Sequence, residues 1–342
     1  MGEVAIIPEG LELCLGQRMV LLRADEATCE SRYLLYAMLS EYVQTQIAVS
    51  DSSGSTVSNL CIPDLEALEI PYLSILEQHR IADVLSAIDD KIENNRKLMA
   101  ELEATARLVY DEWFVRFNFP DEQGRPYRSS GGKMVWNDEL KREIPAGWEA
   151  GTMGQLGSIV SGATPPTNVI ENYADGTIAW ITPNDLSKHD SSIFIWTGER
   201  NISERGLASC SAQLMPAGSV LMSSRAPIGY LAIAAEDCCT NQGCKSIVSD
   251  NGYGSSFIYF SLKHFMPLIE SQGAGTTFKE VSGSVLGSVR LPLPSQYQTS
   301  AFEESVKPLM DKEKEAEREV NSLTSLRDWL LPMLMNGQAR VG

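Results

Sequence analysis

From Ile81 to Trp113 the chain repeats a mostly apolar set at alternating steps of four and three: Ile81, Leu85, Ile88, Ile92, Asn95, Met99, Leu102, Ala106, Val109 and Trp113. A spacing that averages 3.5 residues holds one stripe on one face of an α-helix, the signature of a coiled-coil seam. At 1.5 Å per residue the stripe extends roughly 48 Å. A seam of that length needs a second helix to cover it. Asn95 is its one polar member, and a buried Asn at such a position fixes register at some cost in stability.

The chain supplies the second helix by repeating itself. Gly2-x-x-Ala5-Ile6 matches Gly229-x-x-Ala232-Ile233, and Cys14-x-x-Gln17 matches Cys239-x-x-Gln242. Ser31-Arg32-Tyr33-Leu34-Leu35-Tyr36 matches Ser255-Ser256-Phe257-Ile258-Tyr259-Phe260, Gly54-Ser55-Thr56-Val57 matches Gly275-Thr276-Thr277-Phe278, and Ile70-Pro71 matches Leu291-Pro292. The offset drifts only from 227 to 221, as short loop insertions would make it. At the offset of 221 a second stripe reads Phe302, Val306, Leu309, Glu313, Ala316, Val320, Leu323, Arg327, Leu330 and Leu334, interrupted by Glu313 and Arg327. Two similar helices, neither able to bury such a stripe alone, are expected to pack on each other. They should run antiparallel, because the domain between them must return the chain to the opposite end.

Phe119 to Gly132 is dense in turn residues without an apolar period, and 118–142 reads as a linker. Residues 143–295 alternate short apolar runs with turn signals. Ile178–Ile181, Ser219–Met222 and Leu231–Ala234 read as strands and Ser256–Phe265 as a helix. The predicted fold class is therefore mixed α/β, with globular domains joined by two long antiparallel coiled-coil spacer helices.

At 342 residues and 43% hydrophobic content the chain can build two cores, so a disordered class is excluded. It has no apolar run of membrane-spanning length, and Met1-Gly2-Glu3 does not begin a basic-then-apolar leader. The expected setting is cytoplasmic, with no membrane partner. Seven cysteines, odd in number and irregularly spaced, read as buried reduced thiols rather than a disulfide framework. His79, His189 and His264 stand at no metal-ligand spacing from Cys238, Cys239 and Cys244, so no metal is expected. The net charge of −17 excludes a generally basic surface. Nearly half of that excess, −8, falls in residues 1–74. A local basic face on another part of the chain remains compatible with nucleic acid.

Four places resemble the DNA-specificity subunit of type I restriction-modification enzymes. They are Phe119-Pro120 through Gly131-Gly132-Lys133-Met134-Val135-Trp136 and on to Glu143-Ile144-Pro145-x-Gly147-Trp148; Ser161-Gly162-x-Thr164-Pro165; Thr240-Asn241-Gln242-Gly243-Cys244; and Ile70-Pro71 followed by Glu77-Gln78 and Ile81. The resemblance implies two target-recognition domains, each reading half of a split site in double-stranded DNA, held apart by two helices. It makes 143–295 a complete second target-recognition domain, 75–117 the first conserved spacer helix, and 296–342 the second spacer helix with a C-terminal tail. It also implies partners: two modification (methyltransferase) subunits that bring S-adenosylmethionine and adenine methylation, and a restriction (ATPase/nuclease) subunit for ATP-driven translocation and cleavage, together a phage defence. The departure is at the front. Gly2 aligns with Gly229, so the counterpart of 143–228 lies outside this sequence, and 1–74 reads as the C-terminal half of the first target-recognition domain. The expectation is a complementing chain, or self-association, through 1–74.

No catalytic apparatus is expected in the chain itself. Thr164-Pro165-Pro166-Thr167 echoes the Asn/Asp-Pro-Pro-aromatic motif of adenine methyltransferases but lacks the amide or acid and the stacking aromatic. Neither a dinucleotide fingerprint nor a phosphate-binding P-loop occurs, so no cofactor is expected. Candidate DNA contacts are loop residues that donate to phosphates or meet base edges: Thr164, Thr182, Asn184, Arg225, Asn241, Gln242, Lys245, Thr276, Thr277 and Lys279. For each the alternative is ordinary turn chemistry, in which the side chain satisfies its own backbone. The seam candidates are Ile81, Leu85, Ile88, Ile92, Asn95, Met99, Leu102, Val109, Phe302, Val306, Leu309, Val320, Leu323 and Leu330. Competing with a DNA-reading subunit are a scaffold that holds partner subunits without reading both half-sites, and an autonomous methyltransferase, which would need a cofactor pocket that no motif suggests.

Overall fold

The computed structural model describes residues 2–8, 10–51, 60–189, 192–225, 227–273 and 279–341. In chain order the elements are α1 (Ser31–Leu39), α2 (Glu41–Asp51), α3 (Ile62–Glu66) and α4 (Ile75–Tyr110), then β1 (Met134–Asn137), β2 (Arg142–Pro145), β3 (Glu149–Thr152), β4 (Ser158–Ser161), β5 (Ile178–Ile181), α5 (Pro183–Lys188), β6 (Phe194–Ile195), β7 (Arg200–Ile202) and α6 (Glu204–Ala208). They continue with β8 (Val220–Ser224), β9 (Ile228–Ala234), β10 (Cys238–Thr240), β11 (Cys244–Val248), α7 (Ser255–Ser271), α8 (Gly283–Ser288), β12 (Arg290–Leu293) and α9 (Gln296–Met335). The mixed α/β class follows directly. The repeat is visible in the element starts: α1 and α7 begin at the matched Ser31 and Ser255, and α4 and α9 begin 221 residues apart.

Packing divides the chain into two units, Met1–Asn95 with Arg318–Gly342, and Arg96–Glu317. Each unit takes one part of each long helix. In the first, Tyr33, Tyr36 and Ala37 of α1 bury against Ile81, Ala82 and Leu85 of α4 and against Leu334 and Met335 of α9, with Leu330 packed beside them. Polar ties fix this joint. The Tyr33 hydroxyl donates to Pro71 O at 2.7 Å, the Tyr36 hydroxyl to Asp89 Oδ2 at 2.6 Å, and Arg32 to Ser86 Oγ at 2.9 Å. Arg327, one of the two charges that break the second stripe, donates to the same Asp89 at 2.9 Å. Asn95 is buried and donates to Glu319 Oε2 at 2.7 Å. Since Asp89 meets Arg327 while the later Asn95 meets the earlier Glu319, the two helices run in opposite directions in this unit.

Ahead of α1, the described residues between Gly2 and Glu30 form no helix or strand. The repeat aligns Gly2–Ile7 with β9 and the Cys14 and Gln17 region with the β10–β11 turn, yet a strand exists only with a ladder partner, and none is present here among the described residues. Leu11, Leu13, Met19 and Val20 are exposed as a result. Cys14 and Cys61 are exposed too, which corrects the reading of all seven cysteines as buried. The thiols that do enter the sheets, Cys238, Cys239 and Cys244, are buried, and burial pushes each up to about 12.

In the second unit a five-stranded sheet of order β4-β11-β8-β9-β6 carries α7 on one side, and a three-stranded sheet of order β10-β5-β7 stands beside it. The strands predicted at 178–181, 219–222 and 231–234 are β5, β8 and β9, and the predicted helix is the core of α7. The main core gathers Tyr110 and Phe114 at the end of the first long helix, Phe257 and Phe260 of α7, and Phe302 and Val306 of α9, with Val109, Trp113 and Leu309 packed against it. Tyr110 alone has four aromatic rings and His264 within about 6 Å of its centroid. Of the remaining seam candidates, Ile92, Met99 and Val320 are buried, and Ile88, Leu102 and Leu323 half-buried. The stretch 118–142 is folded rather than loose: Phe119 stacks on Tyr127 and Trp148, and β1 pairs with β2.

The second interruption of the stripe, Glu313, is buried because it serves an edge. Its Oε1 accepts from Ser192 Oγ at 2.9 Å and from Ile193 N at 2.7 Å, just ahead of the edge strand β6. Burial pushes this carboxyl up to about 7, against the two hydrogen bonds, with Glu317 and Glu103 adding to the rise.

Candidate nucleic-acid interface

Six strand ends of the second unit meet at one edge. The registers Lys245↔Ser161, Cys244↔Ser223 and Ser224↔Ile228 bring the end of β4, the start of β11, the end of β8 and the start of β9 to the same side of the antiparallel sheet. β10 and β5 run parallel, with Thr240 opposite Ile181, and both leave their sheet there. Backbone bonds stitch the segments that follow: Ala163 N to Thr240 O at 2.9 Å, Asn241 N to Ile181 O at 3.1 Å, Ser224 N to Gly243 O at 2.8 Å, and Val281 N to Ser224 O at 3.0 Å. Thr164, Thr182, Asn184, Arg225, Asn241, Gln242, Lys245 and Lys279 all lie on these segments. Thr276 and Thr277 lie outside the described residues.

Close approach explains two glycines that sequence alone marks only as turn residues. A Cβ on Gly162 would sit 2.2 Å from the carbonyl oxygens of Thr240 and Asn241, and one on Gly243 would sit 2.7 Å from Pro183 Cγ. Both positions therefore require glycine, and both bind neighbouring segments together. The Thr164-Pro165-Pro166 run is held from below, where Trp180 Nε1 donates to Ala163 O at 3.0 Å, the Tyr173 hydroxyl to Pro165 O at 2.7 Å, and Asn172 Nδ2 to Pro166 O at 3.0 Å.

Side-chain bonding sorts the candidates. Thr182 caps α5: its backbone N and its hydroxyl both donate to Asp185 Oδ2, at 2.8 and 2.6 Å, so its oxygen serves the helix start. The signal was present in Thr182-Pro183-Asn184-Asp185, a cap residue with Pro at the first helical position and an acid at the third. What reads as a loop is thus a short helix. Asn241 Oδ1 accepts from Gly243 N at 2.8 Å and closes its own turn, and Thr164 Oγ1 donates to Gln242 Oε1. Among the described residues no acceptor takes the amide NH2 of Asn241, Gln242 or Asn184, and neither Arg225 nor Lys279 has an ion-pair partner. Five donor groups are thereby left at one edge, three of them amides that suit base edges.

Lys245 differs. It is 8% exposed, its ammonium donates to Gln242 O at 3.4 Å and lies 3.8 Å from Glu280 Oε1. Glu280 in turn forms an isolated backbone bridge with Arg225. Sequence reasoning missed Glu280, because an acid beside Lys279 and a Gly-Thr run carries no signal of what it faces across the sheet.

The model of the type I restriction modification DNA specificity domain matches residues 1–104 and 145–303. The chain is similar to the type I restriction enzyme MjaIX specificity subunit of Methanocaldococcus jannaschii, 39% identical over 169 residues that make up 48% of this chain and 39% of that protein. It is also similar to the type I restriction enzyme HindI specificity subunit of Haemophilus influenzae, 25% identical over 339 residues, covering 85% of this chain and 73% of that one. Among solved structures, the type I restriction-modification system S subunit from M. genitalium shares the fold with a TM-score of 0.53 at 20% identity, covering 91% of this chain and 74% of that one.

Proposed function

Because the chain belongs to the type I restriction modification DNA specificity family, we propose that it is the sequence-specific DNA-binding and scaffold subunit of such a complex, directing partner subunits to a target site. The single observation that carries this reading is the convergence of Arg225, Asn241, Gln242, Lys279 and Asn184 on one sheet edge. Amides next to guanidinium and ammonium groups are the mixture that reads bases while holding phosphates. In this reading 143–295 is the target-recognition domain, 75–117 and 296–337 are coiled-coil spacers, and 118–142 links them. Residues 1–74 contribute to a first recognition domain, with association through its exposed apolar segment.

The chemistry is left to partners: adenine methylation to two modification subunits, ATP-dependent restriction to a restriction subunit, all in the cytoplasm. No helix of the described residues is long and apolar enough to cross a membrane. The chain itself acts without a cofactor and as a non-enzyme. The test is selection from a randomised duplex pool by the full chain, with and without modification subunits, over a salt series. Enrichment of one sequence with affinity that falls steeply with salt is expected. Tight association with modification subunits but no salt-dependent duplex binding would favour the scaffold reading, and S-adenosylmethionine binding by the pure chain would count against a non-enzyme.

A further inference from the structure

Beside the buried Asp185 at the Thr182 cap, this edge of the described residues carries an exposed carboxylate, Glu280, where a polyanion would lie. Glu280 is 45% exposed on its side chain, follows the exposed Lys279, bridges Arg225 through the backbone, and stands 3.8 Å from the ammonium of Lys245. Lys245 is the reverse, 10% exposed on its side chain and tucked under the turn whose carbonyl, Gln242 O, it also contacts at 3.4 Å. Glu280 thus neutralises a buried cation and presents its own charge among Arg225, Lys279 and the Gln242 amide.

A face made only of cations binds every duplex alike, since phosphates carry no sequence. A carboxylate in such a face repels phosphates, and recovers that loss only where a donor such as a cytosine N4 amine meets it. Discrimination built from a repulsive element is as effective as discrimination built from an attractive one. We propose that Glu280 is a specificity-determining residue, which lowers affinity for duplex of arbitrary sequence by setting a carboxylate among the phosphate-binding groups Arg225 and Lys279. This rests on the DNA-reading function proposed above.

The experiment compares the full chain with Glu280→Gln and with the charge-conserving Glu280→Asp. The probes are the unselected randomised duplex pool and the duplex that the unsubstituted chain enriches from it. Glu280→Gln is expected to bind the unselected pool about fivefold tighter, and to steepen the log-log salt slope by up to about 0.9 as the exposed Lys279 and the neighbouring Arg225 meet phosphates without a carboxylate between them. Its preference for the selected duplex should fall by at least the same factor, while Glu280→Asp keeps most of it. A purely structural role would change thermal stability without moving the salt slope or the preference. Pool affinity and slope unchanged in Glu280→Gln, with the unsubstituted chain binding normally, would overturn the proposal. Absence of duplex binding by the unsubstituted chain would instead remove the reading on which it rests, and the two failures appear in different proteins.

Discussion

At Gln242 the side-chain carbonyl is occupied by the Thr164 hydroxyl, which leaves the amide NH2 as the group that can meet a base edge. Gln242→Ala and Arg225→Ala are expected to relax preference at a particular base, costing ~1–3 kcal/mol where the lost contact is bidentate. Lys279→Ala should instead weaken binding across all sequences and flatten the salt slope by about 0.9, the mark of a single phosphate contact. Competitive titration with the selected and unselected duplexes separates the two outcomes. Glu313 makes a different prediction, in pH. Its carboxyl is raised from 4.5 to about 7 in the fold, so between those values the native state holds a proton that the unfolded chain has lost. Its contribution to stability is therefore greatest below about pH 4.5, declines as pH rises toward about 7, and is flat above, a span of roughly 3 kcal/mol at most. Urea midpoints of Glu313→Gln should lack that decline, and a variant with an unchanged pH profile would show that the carboxyl titrates normally. At this scale sequence located the polar residues but not their employment. The Thr182 hydroxyl and the Asn241 side-chain carbonyl serve their own turns, and nothing local says that Glu313, in the middle of a helix, caps the entry to an edge strand 120 residues away.

The long helices were legible because their period is strong and their starts are repeated, whereas the two charged interruptions were legible only as interruptions. Arg327 meets Asp89 across the pair and Glu313 meets Ser192, so each charge that breaks the stripe has a specific partner in place of a seam contact. Cysteines at Asp89 and Arg327 are expected to be joined by a short bismaleimide, as are cysteines at Lys91 and Glu319, whose ion pair is 3.3 Å long. Failure of both pairs to join in the folded chain would contradict the opposed direction of the helices. Residues 4–22 mark the limit of reading elements from a repeat. Their sequence carries the pattern of β9 to β11, but in the second unit those strands stand on β8, β5 and β4, and without such neighbours the described residues of this segment form no ladder. The edge of the second unit became visible only through topology, because registers bring together residues as distant in sequence as Ser161 and Lys245.

For the molecule as a whole, a net charge of −17 and a DNA-reading role are compatible because the field that matters is local. The sheet edge presents Arg225, Lys279 and three amides, with the buried Lys245 paired to Glu280, while much of the acidic excess lies in residues 1–74. Family membership establishes the kind of protein, and the mixed α/β fold agrees with it. Contact between this edge and DNA is read out by a photo-activatable cross-linker. With the cross-linking residue at exposed Gln242, or in a parallel preparation at exposed Trp136 of β1, the full chain is saturated with the duplex it selects and irradiated. Covalent attachment to base positions is expected from 242 and none from 136. Attachment from 136 with none from 242, while the complex is saturated, would contradict that contact.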